Sequence, residues 1–140
     1  MAAADFQGRT MENTFSRFSE YRGQVVLMTF WRKKCDICAD YLVDLEKIHQ
    51  EYKGRGFTSF AVNGDNLDYV PSHKIIEFVK ERGITYPSWL DDQSQATEGY
   101  KIINIPVTFL IDRKGVIADI QYNPVDWGTP ENRAKIEKLL

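Results

Sequence analysis

The chain has 140 residues, 43% of them hydrophobic and 13% aromatic, with 18 basic against 20 acidic side chains for a formal net charge of −2. That length suits one domain, residues 1–140, and that composition can bury a core without a disulfide framework or a structural metal. The charge is too small and too evenly spread for a nucleic-acid surface, and no apolar run approaches the ~20 residues that cross a bilayer. Met1-Ala2-Ala3-Ala4-Asp5 lacks the basic and apolar stretch of a secretory leader. We expect residues 1–5 to be disordered or added by cloning, on either a cytoplasmic protein or a mature domain without its leader.

Residues 5–24 alternate weakly and carry turn formers (Gly8, Asn13, Gly23), which predicts a short strand or hairpin and a turn. Val25 to Trp31 is a continuous apolar run of strand length, as in a strand covered on both faces. The period then changes. Cys38, Tyr41, Leu42, Leu45, Ile48 and Tyr52 recur at spacings of three and four, opposite Asp40, Asp44, Glu46, Lys47 and Gln50. This is an amphipathic helix, ended by Gly54 and Gly56. Phe57 to Val62 reads as a second buried strand, and Asn63-Gly64-Asp65-Asn66 as a turn.

A second helix is predicted from about Ser72 to Arg82, with Ile75, Ile76 and Val79 inward and Gly83 as its stop. Ile84 to Leu90 is a short extended piece broken by Pro87, and a brief helix follows around Gln95–Tyr100. Val107–Ile111 and Val116–Tyr122 flank Asp112-Arg113-Lys114-Gly115, a hairpin signal with glycine where a positive φ is wanted. Thr129 caps a final helix that opens at Pro130. The order implies an α/β fold in three layers, a central mixed sheet flanked by helices.

Cys35-Asp36-Ile37-Cys38 stands where a buried strand hands over to a helix. Residues three apart on a helix share a face, so the two sulfurs can reach disulfide distance. At a helix N-terminus, free backbone N–H groups and the dipole favour the thiolate, which is the attacking species. Lys33 and Lys34 act in the same direction and Asp36 against it. Cys38 begins the apolar stripe and therefore faces the core, as suits a thiol that resolves a mixed disulfide. A C-x-x-C in a βαβ setting is a redox signal. A zinc site needs about four ligands, and only His49 and His73 remain, each on a predicted helix. No metal and no cofactor beyond the cysteine pair are expected. Attachment of c-type haem fails on Ala39 in place of histidine.

Phe30-Trp31 ahead of the cysteines, together with Ile105-Pro106-Val107-Thr108-Phe109-Leu110-Ile111-Asp112, resembles the thioredoxin superfamily. The segment Ser19–Gln24 and the long stretch between Val62 and Pro87 narrow this to a resemblance to the TlpA/ResA-type extracytoplasmic thiol-disulfide oxidoreductases. The resemblance implies a thioredoxin fold, with Cys35 and Cys38 as the catalytic pair. It implies that Pro106 is a cis-proline facing them and that Ile105 offers its backbone to a substrate strand. Trp31 is carried over as a substrate contact, with core packing as the other reading. Asp65 is carried over as a proton-transfer group, with a turn aspartate capping its own backbone as the other reading. Tyr122, Trp127 and the loop 123–128 either form a partner surface or pack on the final helix.

The sequence departs from the family at Lys34, where tryptophan is common, at Asp36-Ile37, which usually ends in proline, and at Thr29, where the family buries an acid or amide. The implied activity is reduction of protein disulfides outside the cytoplasm, in cytochrome c maturation or a related process. Its partners would be protein substrates and an upstream thiol donor, and the protein a monomer. Three alternatives compete with this reading. A thiol peroxidase should carry threonine where Arg32 stands; a copper-delivering relative should have C-x-x-x-C and a later histidine. A redox-silent binding module would have no use for the intact pair.

Overall fold

The computed structural model describes residues 1–140. Its centre is β3 (Val25–Trp31), in which every residue is buried. Successive side chains of a strand point to opposite faces. Val25, Leu27 and Trp31 accordingly enter one apolar cluster, and Val26, Met28 and Phe30 the other. Fully burying side chains of this size stabilises by about 1.5–3 kcal/mol each, which is why the strand cannot slip its register.

β3 pairs in parallel with β4 (Phe57–Asn63), from Val25↔Phe57 to Trp31↔Asn63. On its other side it pairs antiparallel with β6 (Val107–Ile111), which turns through a hairpin into β7 (Ile117–Gln121). β5 (Ser88–Leu90) lies parallel to β4. The N-terminal hairpin of β1 (Gln7–Arg9) and β2 (Phe15–Arg17) joins β5 at Arg9↔Leu90. The order is β2-β1-β5-β4-β3-β6-β7, a mixed seven-stranded sheet. One face carries α1 (Cys38–Tyr52), α2 (Ser72–Glu81) and α4 (Pro130–Glu137), through side chains such as Leu42, Leu45, Ile75 and Ile136. The other is covered by α3 (Gln95–Gly99) and the N-terminal residues Ala3, Phe6 and Phe18.

Local chemistry sets the boundaries. After α1 a single 3-10 turn ends at Gly56, whose φ of 75° is open to glycine at little cost. Gly115 takes φ 81° in the β6–β7 turn, while Asp112 accepts hydrogen bonds from the N–H groups of Lys114 and Val116. Thr129 caps α4 by accepting from Asn132 N–H. The strand expected over Ile84–Leu90 is only three residues long, because Pro87 has no N–H and joins the ladder only through its carbonyl, to Ala61. Within α2, Ile75 and Val79 are buried as expected, but Ile76 is only half-buried.

Residues 1–5 correct the expectation of a loose end. Ile117 N–H donates to Met1 C=O, Ala3 N–H donates to Gly115 C=O, and Ala3 is 7% exposed. β7 is an edge strand with unpaired backbone groups, and the first residues satisfy some of them.

Candidate active site: a disulfide at the end of the central strand

β3 delivers the chain to the upper edge of the sheet at Trp31, and residues 32–37 form the loop before α1. Cys35 and Cys38 are joined in a disulfide with their Cα atoms 5.3 Å apart. The helix begins at Cys38 and not at Cys35. Residues 36 and 37 form a turn closed by Cys38 N–H donating to Cys35 C=O, and no side chain caps the helix. Cys35 therefore sits one turn ahead of the helix, half-buried, and Cys38 is 1% exposed. The asymmetry follows from the stripe that Cys38 starts: the same face buries Tyr41, Leu42 and Leu45.

The turn after β4 ties down the start of the cysteine loop. Asp65 accepts a hydrogen bond from Lys33 N–H at 2.8 Å and a second from Asn63 Nδ2 at 2.8 Å. Gly64 N–H donates to Trp31 C=O. The turn itself is capped by Asn63, whose Oδ1 accepts from Asp65 N–H. Asp65 does not cap its own backbone. It reaches across to the loop that carries Cys35.

The Ile105–Pro106 peptide bond is cis, and Pro106 is buried. Val107, the next residue, pairs with Phe30 near the end of β3, so the proline and the cysteine loop share one edge of the sheet. Cys35 and Ile105, both half-buried, pack against the same cluster. Neither the N–H nor the C=O of Ile105 has a hydrogen-bond partner within the chain. Of the two readings of Trp31, its burial favours core packing. It is 1% exposed and stacked on Phe78, with ring centroids 5.3 Å apart, so it floors the site and cannot be a substrate platform.

Behind the pair runs a hydrogen-bond chain that the sequence reading missed. Trp127 Nε1–H donates to Tyr41 Oη at 3.0 Å, and Tyr41 Oη lies 2.6 Å from Thr108 Oγ1. Thr108 in turn donates to Thr29 Oγ1, and Thr29 to Val107 C=O. Burial pushes the Tyr41 phenol pKa up, only partly offset by its bonds to Thr108 and Trp127, so it stays protonated and donates at neutral pH. The signal available was a threonine inside each of two strands otherwise filled with apolar side chains. A buried hydroxyl needs a partner, and Thr29 and Thr108 are direct neighbours across β3 and β6. Trp127 is thereby fixed in the core, whereas Tyr122 at the end of β7 is exposed.

His49, one of the two histidines considered as ligands, is buried on α1. Its Nδ1 accepts from Ser59 N–H, and burial lowers its pKa. His73 lies exposed on α2. No three His, Cys, Asp or Glu side chains gather where they could hold a metal ion. No helix is long and apolar enough to cross a membrane.

A mixed sheet flanked by helices, with a C-x-x-C disulfide where the central strand meets its helix and a cis-proline beside it, defines a protein of the thioredoxin fold. The chain belongs to the AhpC/TSA family, whose pattern matches residues 1–120. It is 30% identical over 118 residues to the thiol-disulfide oxidoreductase ResA of Geobacillus kaustophilus, covering 84% of this chain and 66% of that one. It is 28% identical to the thioredoxin-like protein YneN of Bacillus subtilis, covering 84% and 68%. The chain thus spans about two thirds of the length of these relatives. Among solved structures, a thiol:disulfide interchange protein of the thioredoxin family from Chlorobium tepidum superposes with a TM-score of 0.81 at 21% identity, covering 99% and 95% of the two chains.

Proposed function

We propose that residues 1–140 act as one domain that exchanges thiols and disulfides with other proteins, as a reductant. The observation that carries this reading is the disulfide between a half-buried Cys35 and a buried Cys38, beside an unpaired Ile105 backbone. In the reduced protein the Cys35 thiolate attacks one sulfur of a substrate disulfide, and the other sulfur leaves as a thiolate. The Cys38 thiolate then attacks Cys35, forming the Cys35–Cys38 bond and releasing the second substrate thiol. Two electrons pass to the substrate, whose two thiolates take up protons. An upstream thiol donor restores the dithiol. Ile105 would align an extended substrate segment through its free N–H and C=O, as edge strands align peptides, and Pro106 would fix the place of that segment. Asp65 is assigned a positioning role through Lys33, in preference to proton transfer.

Likeness to proteins named ResA supports a site of action outside the cytoplasm and a role in cytochrome c maturation or related disulfide reduction. The test is direct. Cys38→Ser should accumulate a mixed disulfide between Cys35 and substrate, because nothing remains to release it, and Cys35→Ser should not. The reverse pattern would exchange the two roles. Titration against glutathione buffers should give a potential nearer the ~−270 mV of thioredoxin than the ~−120 mV of DsbA. Steady consumption of hydrogen peroxide would instead support the peroxidase alternative, against which Arg32 stands.

A further inference from the structure

Six of the chain's lysines and arginines are half-buried: Arg9, Lys33, Arg82, Arg113, Arg133 and Lys135. Arg9, Arg133 and Lys135 each meet a carboxylate, of Asp92, Glu51 and Asp119 respectively. Arg113 donates to the backbone carbonyls of Gly23, Arg55 and Leu140. Only Lys33 and Arg82 lack an anionic or multiple carbonyl partner; Arg82 has the single carbonyl of Phe78. Both lie over the ring of Phe78, with the Arg82 guanidinium 3.4 Å and the Lys33 ammonium 5.8 Å from its centroid. Phe78 is stacked in turn on Trp31, at the foot of the cysteine loop. Lys33, two residues before Cys35, and Arg82, at the end of α2, are thus held on one π stack and partly withdrawn from water.

A partly desolvated cation without a counter-charge is costly, and an incoming carboxylate recovers that cost in a charge-assisted hydrogen bond. The acidic groups of the loop do not supply it. Asp65 is engaged by Lys33 N–H and Asn63, and Asp36 and Asp40 are exposed and form no ion pair. Exposed Arg32 and Lys34 flank Lys33 and extend the basic edge, although the chain as a whole carries −2. Ile37, between the two cysteines, and Ile103, two residues before Ile105, are exposed apolar side chains, at 54% and 87%. Aromatic stacking leaves the outer N–H groups of an arginine free to fork onto a carboxylate.

We propose that Lys33 and Arg82, seated on Phe78, select protein substrates that carry an acidic side chain close to the reactive cysteine. This rests on the oxidoreductase reading above and names its substrate class. Arg82 acts as a specificity residue and takes no part in the exchange itself.

The test uses the pre-reduced protein in single-turnover reactions with three disulfides. Two are symmetric dimers of a short cysteine peptide, one with glutamate and one with lysine on both sides of the cysteine. The third is neutral hydroxyethyl disulfide. Each rate is divided by the rate of the same disulfide with dithiothreitol, which removes the effect of flanking charge on the leaving thiol. The glutamate peptide should then react about 3- to 10-fold faster than the lysine peptide, an advantage that shrinks as salt is added. Arg82→Gln should lose most of this advantage, and Arg82→Lys should keep part of it. The rate with hydroxyethyl disulfide should be unchanged in both. Equal normalised rates for the two peptides, or an advantage untouched in Arg82→Gln, would overturn the proposal. If the wild-type protein failed with hydroxyethyl disulfide as well, the oxidoreductase reading itself would fall.

Discussion

Replacing Tyr41 by Phe removes one oxygen atom and changes the shape of the core very little, so the loss should come from hydrogen bonding alone. Tyr41 Oη serves two partners, Thr108 Oγ1 at 2.6 Å and Trp127 Nε1 at 3.0 Å. Without it Thr108 keeps its contact to Thr29, but the buried indole N–H of Trp127 has no partner left. A lost hydrogen bond costs about 0.5–1.5 kcal/mol and an orphaned buried donor about 1–3. Part of the two overlaps, so Tyr41→Phe should lose roughly 2–3 kcal/mol. Urea unfolding of the oxidised protein, followed by far-UV circular dichroism, reads this as a lower midpoint at unchanged slope. Trp127→Phe removes the donor itself, and the double variant should be more stable than the sum of the two losses predicts. Additive losses, or a loss below ~0.5 kcal/mol in Tyr41→Phe, would show that the chain of hydroxyls does not hold the 123–128 loop to α1.

Two further outcomes can be checked with the same methods. His49 must be neutral to accept from Ser59 N–H, and burial lowers its pKa below the ordinary value, with Lys53 adding to and Glu46 opposing that shift. The unfolded chain therefore takes up the proton first. The stability this group contributes is present above pH ~6.5 and is lost as pH falls through the lower folded value, a dependence that His49→Gln should reduce between pH 7 and 5. Asp65→Ala should leave the fold intact, speed hydrogen exchange at the Lys33 amide and slow reaction of the reduced protein with every disulfide. An unchanged Lys33 amide would show that the loop is held by other contacts.

Much of the fold was legible because burial on both faces writes an unbroken apolar run. Val25–Trp31 and Phe57–Val62 could hardly be anything but central strands, and the stripe from Cys38 to Tyr52 is a helix by period alone. The turn at Gly115 and the cap at Thr129 were readable for the same reason, since each depends on a local φ or a side chain three residues away. The cysteine pair belongs with these features, because its spacing and its strand-to-helix placement are local.

What pattern could not supply were contacts between residues far apart in sequence. Asp65 meets Lys33 across 32 residues, and Trp127 meets Tyr41 across 86. The edge of β7 captures residues 1–3 only because the sheet ends there. The sequence left Trp31 between substrate contact and core packing, because whether an aromatic ring faces solvent depends on what packs over it. Phe78 of α2, 47 positions later, supplies that cover (positions 31 and 78). Sequence alone determined the elements and the reactive pair, because backbone hydrogen bonding and side-chain periodicity act over a few residues. The tertiary structure decided which polar groups find partners and which cations are left without them, because those outcomes depend on burial by distant segments.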